Sequence, residues 1–233
     1  MKNFYKYLPR CIFIVLVSCQ IMAHAQPFVT GRLWGRLGNH LFIVAAVTSL
    51  AIDNGAEAVF PDFMTAFDPN CELKNNYEVA NLRSNYQNMF SHLNVSPPTK
   101  EIEFVYREPS FSYTPIPYYP DMLIEGWFQS EKYFLHNKQI IQKLFAPSPE
   151  IYNYLSSKYI DIINDPNTVS IHLRCYKKEN PIYEDVYPTY GRNYVEKAIR
   201  LFNDDAQFIV FSDQIEWAQE QLKGLPYNIR FIE

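Results

Sequence analysis

Three short stretches of the chain combine residue types that hold anions and move charge. The run Ser170-Ile171-His172-Leu173-Arg174-Cys175 closes a β-branched segment, and alternation along a strand puts His172 and Arg174 on one face, opposite Ile171 and Leu173. A guanidinium fixed at a strand end offers a planar fork to a diphosphate and neutralises a leaving group without a metal. The residues alone leave a second role open, an arginine paired with a loop carboxylate beside a packed histidine. Ser212 and Asp213 set a hydroxyl and a carboxylate before a helix, where they contact a nucleotide, cap the helix, or do both. The turn Gly35-Arg36-Leu37-Gly38-Asn39 precedes a long apolar run, so its backbone N–H groups and Arg36 are suited to face an anion.

Other chemistries find no support. The glycine turn is followed by no Gly-Lys-Ser or Gly-Lys-Thr and lacks the third glycine of a dinucleotide fingerprint. There is no Gly-x-Ser-x-Gly elbow, and His172 and Cys175 leave one strand on mostly opposite faces, which argues against a cysteine nucleophile. The histidines at 24, 40, 92, 136 and 172 never reach metal-ligand spacing, and Cys71 and Cys175, separated by 104 positions, fit no zinc pattern. Whether these two thiols pair is left open by the sequence. Asn94-Val95-Ser96 is a glycosylation sequon followed by proline and carries no weight.

The elements that must position these groups alternate. Strands are predicted over Phe28–Leu33, Ala56–Phe60, Glu101–Arg107 and Met122–Trp127, with helices over His40–Ile52, Tyr77–Leu82, Gln87–Leu93, Glu131–Leu144 and Pro149–Ile162. The last third reads strand Thr168–Leu173, helix Asn193–Phe202, strand Gln207–Phe211, helix Gln214–Leu222 and strand Asn228–Ile232. Strands separated by helices pair in parallel with right-handed crossovers, and such sheets bind ligands beyond the carboxyl ends of their strands. The expected class is therefore α/β.

Composition narrows the partners. Of 233 residues 48% are hydrophobic and 20% charged, enough for a sizeable core, and seven glycines against 18 tyrosines and 17 phenylalanines exclude a Gly-rich low-complexity chain. A net charge of −4 argues against a nucleic-acid binder, so an anionic ligand must be held by a few placed arginines. Residues 1–25 look like an address: Lys2, Lys6 and Arg10 precede a short apolar run from Cys11 to Met22, and Ala23-His24-Ala25 has the small-x-small cleavage pattern. That run is well short of the roughly 20 apolar residues that span a bilayer, which favours a signal peptide over a short membrane anchor. Leu16-Val17-Ser18-Cys19 also resembles a lipoprotein box. Removal of the segment takes three basic residues and no acidic one, leaving a net charge of −7. The expected location is the secretory pathway, exported or membrane-associated.

Four stretches in order carry a family resemblance: Gly35-Arg36-Leu37-Gly38-Asn39-His40-Leu41-Phe42, Gly126-Trp127-Phe128-Gln129-Ser130-Glu131-Lys132-Tyr133-Phe134, the His172-x-Arg174 strand end, and Val210-Phe211-Ser212-Asp213-Gln214-Ile215-Glu216-Trp217. Together they resemble the α-1,2-fucosyltransferases of glycosyltransferase family eleven. The resemblance implies a GT-B-like fold of two Rossmann-like halves with parallel sheets, an acceptor-side domain over 26–165 and a donor domain over 166–233. It implies inverting, metal-independent transfer of L-fucose from GDP-fucose to the 2-hydroxyl of a terminal galactose, with no cofactor. Arg174 would hold the β-phosphate and stabilise the leaving GDP, and His172 would orient the donor. Ser212 and Asp213 match the second donor-side motif, Arg36 and Asn39 would approach the diphosphate from the opposite wall, and Gln129 and Tyr133 are read as structural.

The chain also departs from the pattern. The family's first motif usually reads His-x-Arg-Arg-x-Asp, whereas Cys175 stands for the second arginine and Lys177 for the aspartate; His40 replaces a usual glutamine. A third motif, rich in Ser and Trp, is expected beyond a strand like Asn228–Ile232, so the C-terminal half is read as incomplete, short of the roughly 100 residues of an ordinary domain. Glu179, Glu184 and Asp185 are loop carboxylates to which no base role is assigned. A second reading follows from these departures, a catalytically inactive, exported glycan-binding remnant of the family.

Overall fold

A computed structural model describes residues 26–70, 77–175, 187 and 189–232. The chain divides into two compact units, Met1–Ala146 and Pro147–Glu233. The division falls earlier than the expected boundary near 165, and interactions within the second unit explain why residues 147–165 group with it. Arg230 pairs with Asp161, and the Thr168 hydroxyl donates to the Ile162 carbonyl.

In the first unit β1 (Phe28–Gly31), β2 (Glu57–Val59), β3 (Phe104–Arg107) and β4 (Met122–Glu125) form one sheet in the order β2-β1-β4-β3, parallel throughout. Parallel pairing requires a crossover between strands, and α1 (Leu37–Asp53) supplies the first. Every residue from Ile43 to Ser49 is buried, so the apolar run makes a helix enclosed on most sides, as its composition predicts. Its approach to β1 is close: a Cβ on Gly31 would stand 2.7 Å from Val47 Cγ2 and 2.9 Å from Ile43 Cγ2. At the start of the sheet Asp121 is buried and accepts from the Phe28 N–H at 3.1 Å and from Lys100 Nζ at 3.1 Å, tying β1 to the entry of β4.

The core under this sheet is aromatic. Phe63, on the short helix α2 (Asp62–Thr65), stacks with Phe90 at 5.1 Å and Tyr86 at 5.6 Å between ring centroids. The helix predicted over Gln87–Leu93 is instead a π-helical turn, Tyr86–Phe90, continuing α3 (Tyr77–Asn85), and the wider turn carries Phe90 inward to Phe63. The helix predicted over Glu131–Leu144 is also broken, into 3₁₀ turns at Glu131–Tyr133 and Leu135–Asn137 followed by α4 (Lys138–Leu144). Tertiary bonds override local propensity there: the Asn137 amide donates to Ser49 Oγ at 3.0 Å and Asp53 Oδ1 at 2.8 Å, both on α1.

In the second unit α5 (Pro149–Lys158) and α6 (Ile160–Ile163) replace one predicted helix, interrupted at Tyr159. Then follow β5 (Thr168–Leu173), α7 (Arg192–Ile199), β6 (Gln207–Ser212), α8 (Ile215–Leu222) and β7 (Asn228–Phe231), with the sheet parallel in the order β5-β6-β7. Phe208 and Val210 of β6 meet Val195 and Ile199 of α7 and Ala218 and Leu222 of α8 in the core. Phe202, predicted to extend the helical face, lies beyond α7, and its ring meets Phe208 edge-on at 6.0 Å. The chain is thus α/β with two parallel sheets, as the alternation predicts. Cys175 is a buried free thiol, while Cys71 and the 1–25 segment lie outside the described residues.

His40 is fully buried on α1. The Asn85 amide nitrogen lies 2.9 Å from His40 Nδ1, so Nδ1 accepts and the neutral ring carries its proton on Nε2, while Phe63 packs edge-on at 5.9 Å. Protonation would put an Nδ1–H against an amide donor in the core, and burial lowers the pKa from 6.5 to about 4. A depressed histidine pKa contributes stability that is complete above about 6.5 and is lost as pH falls towards 4, by up to about 3 kcal/mol. Denaturant titrations at pH 7 and pH 4.5 should therefore show a stability loss that shrinks by about 2 kcal/mol in His40→Gln, an uncharged amide at the same place. Equal losses in both proteins would refute the assignment. Gly31→Ala should cost about 1–3 kcal/mol in urea unfolding at neutral pH, because the added methyl meets two branched side chains of α1.

Candidate functional site

Parallel strands leave their sheets at one edge, and the sequence-predicted residues collect at those edges. In the second unit β5 and β6 pair with Leu173 opposite Ser212, so the residues that follow them, Arg174 and Asp213, come out side by side. Arg174 Nε lies 3.7 Å from Asp213 Oδ2, with the two side chains 26% and 29% exposed. Asp213 Oδ1 accepts from the Cys175 N–H at 3.0 Å, so one carboxylate holds both the guanidinium and the backbone leaving the strand. The arginine ion pair that the sequence left open is thus present. At such exposure its worth is only about 0–1 kcal/mol.

Ser212 and Asp213 do not cap the following helix, since Gln214 occupies the cap position of α8. Ser212 Oγ instead accepts from the Gln214 N–H at 3.0 Å, a local turn that bends the chain from strand to helix. His172 is exposed, on the strand face opposite Ile171 and Leu173, which face the core. Alternation predicted that separation. Arg174 lies just past the strand's end, in the turn that Asp213 holds.

In the first unit Arg36 occupies the cap position of α1, and its carbonyl accepts the first helical bond from the His40 N–H at 3.0 Å. Gly35 has φ of 79°, the left-handed region, and a Cβ there would land on the Asn39 side-chain amide. The glycine therefore serves both the turn and the placement of Asn39. Asn39 Oδ1 accepts from Gln129 Nε2 at 2.8 Å, so two of the four sequence stretches touch directly. Arg36 and Asn39 stand on the first unit, and His172, Arg174, Ser212 and Asp213 on the second.

A second carboxylate organises the first unit's edge, one the sequence reading passed over. Glu108 follows β3, and its Oε2 accepts from the N–H groups of Trp127 at 2.7 Å and Phe128 at 2.9 Å. Its Oε1 accepts from the Tyr133 hydroxyl at 3.2 Å. Phe128 is fully buried with φ of 49°, a strained conformation for a phenylalanine, and the Glu108 bond helps to hold it. Burial raises the Tyr133 phenol above its ordinary pKa, so it remains the donor to Glu108. Gln129 and Tyr133 hold the edge together, the structural role expected of them. The strand-end rule applied to β3 would have found Glu108, which stands one residue past the strand.

Among the described residues no three His, Cys, Asp or Glu side chains gather as a metal site, and no helix is long and apolar enough to cross a membrane. Residues 6–227 match the profile described as Glycosyl transferase family 11. The Alpha-1,2-colitosyltransferase of Escherichia coli is 27% identical over 115 residues, covering 46% of this chain; the match spans 39% of that relative's length. Among solved structures, fucosyltransferase NodZ from Bradyrhizobium superposes with a TM-score of 0.48 at 14% identity, over 89% of this chain and 78% of that one. NodZ alpha-1,6-fucosyltransferase soaked with GDP-fucose gives 0.47 at 15% identity over the same shares. With the profile running through all four stretches and almost the whole length, the chain belongs to glycosyl transferase family 11.

Proposed function

We propose that the chain is a galactoside α-1,2-fucosyltransferase, moving L-fucose from GDP-fucose to the 2-hydroxyl of a terminal galactose with inversion and without a metal. The acceptor oxygen forms a bond to the fucose anomeric carbon on the face opposite the nucleotide. The bond from that carbon to the β-phosphate oxygen breaks, and the acceptor proton passes to a base. GDP leaves with the added negative charge. The observation that carries the reading is Arg174, held at the end of β5 by Asp213, where a guanidinium suits a diphosphate that gains charge as it departs. Arg36 and Asn39 contribute a second anion-facing turn, and His172 orients the donor. Residues 1–25 act as a signal peptide or short membrane anchor, which carries the protein into the secretory pathway or onto a membrane.

One observation favours a second reading. The buried Cys175 occupies the place of the family's second motif arginine and lends Asp213 a backbone N–H, so no guanidinium stands at that position. On that reading the protein binds glycans without turning them over.

Calorimetry on the full chain should show GDP binding that weakens at least tenfold in Arg174→Ala, and a protein with no affinity for GDP would defeat the donor assignment. Incubation with a terminal galactoside and GDP-L-fucose should yield a 2-linked product at a rate unchanged by EDTA. GDP binding without turnover would favour the glycan-binding reading, and a rate abolished by EDTA would reject metal independence. Mass measurement of the mature N-terminus should give Gln26 as the first residue if the address is cleaved.

A further inference from the structure

Beside Glu108 the first unit carries a cavity of about 470 Å³, within the ~300–1,000 Å³ usual for small-ligand sites. It opens past the carboxyl ends of β1, β3 and β4, where parallel sheets take their ligands. Two indoles form its apolar side. Trp34 and Trp127 lie 6.2 Å apart between ring centroids at a tilt of 43°, and Trp34 Nε1 donates to the Gly126 carbonyl at 3.2 Å, which fixes its ring. Phe111 stands at the rim, 74% exposed. The polar side is an ion pair, Arg107 Nε to Glu125 Oε2 at 2.9 Å, between residues that are register partners on β3 and β4.

We propose that this pocket binds one ring of the acceptor glycan, a neutral hexopyranoside; the inference rests on the glycosyltransferase reading above. A pyranose has an apolar face of C–H groups and a rim of hydroxyls. Aromatic faces carry partial negative charge and large apolar area, which suits the C–H face. A carboxylate accepts from one hydroxyl, and the guanidinium beside it donates to the next. Glu108 already accepts three hydrogen bonds, so Glu125 is the carboxylate that meets the sugar. The charge balance selects against a nucleotide diphosphate: two carboxylates line the pocket against one arginine, and that arginine is engaged by Glu125. The segment that supplies Trp127 also supplies Gln129, which holds Asn39, so the pocket wall and the anion-facing turn are joined within one unit.

Saturation-transfer NMR of the full chain with lactose, run with and without GDP, tests the site directly. Saturation should reach the sugar ring protons, and the signal should fall at least fivefold in Phe111→Ala and in Glu125→Gln. Neither change removes a buried apolar side chain, and circular dichroism would verify the fold of each. Tyr152→Ala, an exposed aromatic on α5, should leave the signal intact. GDP affinity, measured on the same samples, should not change in Phe111→Ala. The proposal is overturned if lactose receives no saturation, if both pocket variants match the unmodified protein, or if GDP displaces the sugar. Absence of GDP binding alongside a pocket-dependent lactose signal would instead remove the fucosyltransferase reading and leave the sugar site standing.

Discussion

Parallel pairing in both sheets sends each strand out at the same edge as its neighbours, because the intervening chain must cross back before the next strand begins. Everything chemical in this protein depends on that return. In the second unit the pairing of Leu173 with Ser212 sets Arg174 next to Asp213, although 38 positions separate the carboxylate from Cys175, whose N–H it holds. In the first unit the same geometry gathers the residues after β1, β3 and β4, so Trp34, Glu108 and Trp127 become neighbours. A shift of one residue in either register would turn core side chains to solvent and edge groups to the core.

Each edge is organised by a carboxylate accepting from backbone N–H groups that would otherwise need water. Glu108 takes two N–H groups and a phenol, and it holds Phe128 in a left-handed conformation. Bonds of this charge-assisted kind are worth about 1.5–3 kcal/mol each, enough to offset strain of order 1–3 kcal/mol at one residue. Asp213 takes one N–H and leaves its other oxygen near Arg174 at 3.7 Å. Glu108 holds the first edge together through three bonds, whereas Asp213 ties a guanidinium and a backbone N–H at the second.

Much of this was legible in the chain. The run Gln207–Phe211 and the enclosed apolar run of α1 announce their structures because burial on both sides demands continuous apolar sequence, while Thr168–Leu173 announces a strand by alternation, with Ser170 and His172 exposed opposite Ile171 and Leu173. The places of Arg36 and Arg174 follow from their positions after strands. The broken helix at 131–144 was not legible, since Asn137 leaves the helical path to bond Ser49 and Asp53, more than 80 positions earlier. Nor was the role of Glu108, whose partners lie about 20 positions away along another strand.

By itself the sequence determined the α/β class, the candidate cations at the strand ends and the family resemblance, because periodicity, glycine turns and motif order are local properties of the chain. Tertiary structure decided which carboxylate meets which arginine, why Gly35 must lack a side chain beside Asn39, and that two tryptophans 93 positions apart share one pocket wall. Those outcomes depend on the register between strands remote in sequence, which is set by how the buried faces of the sheets pack against their helices.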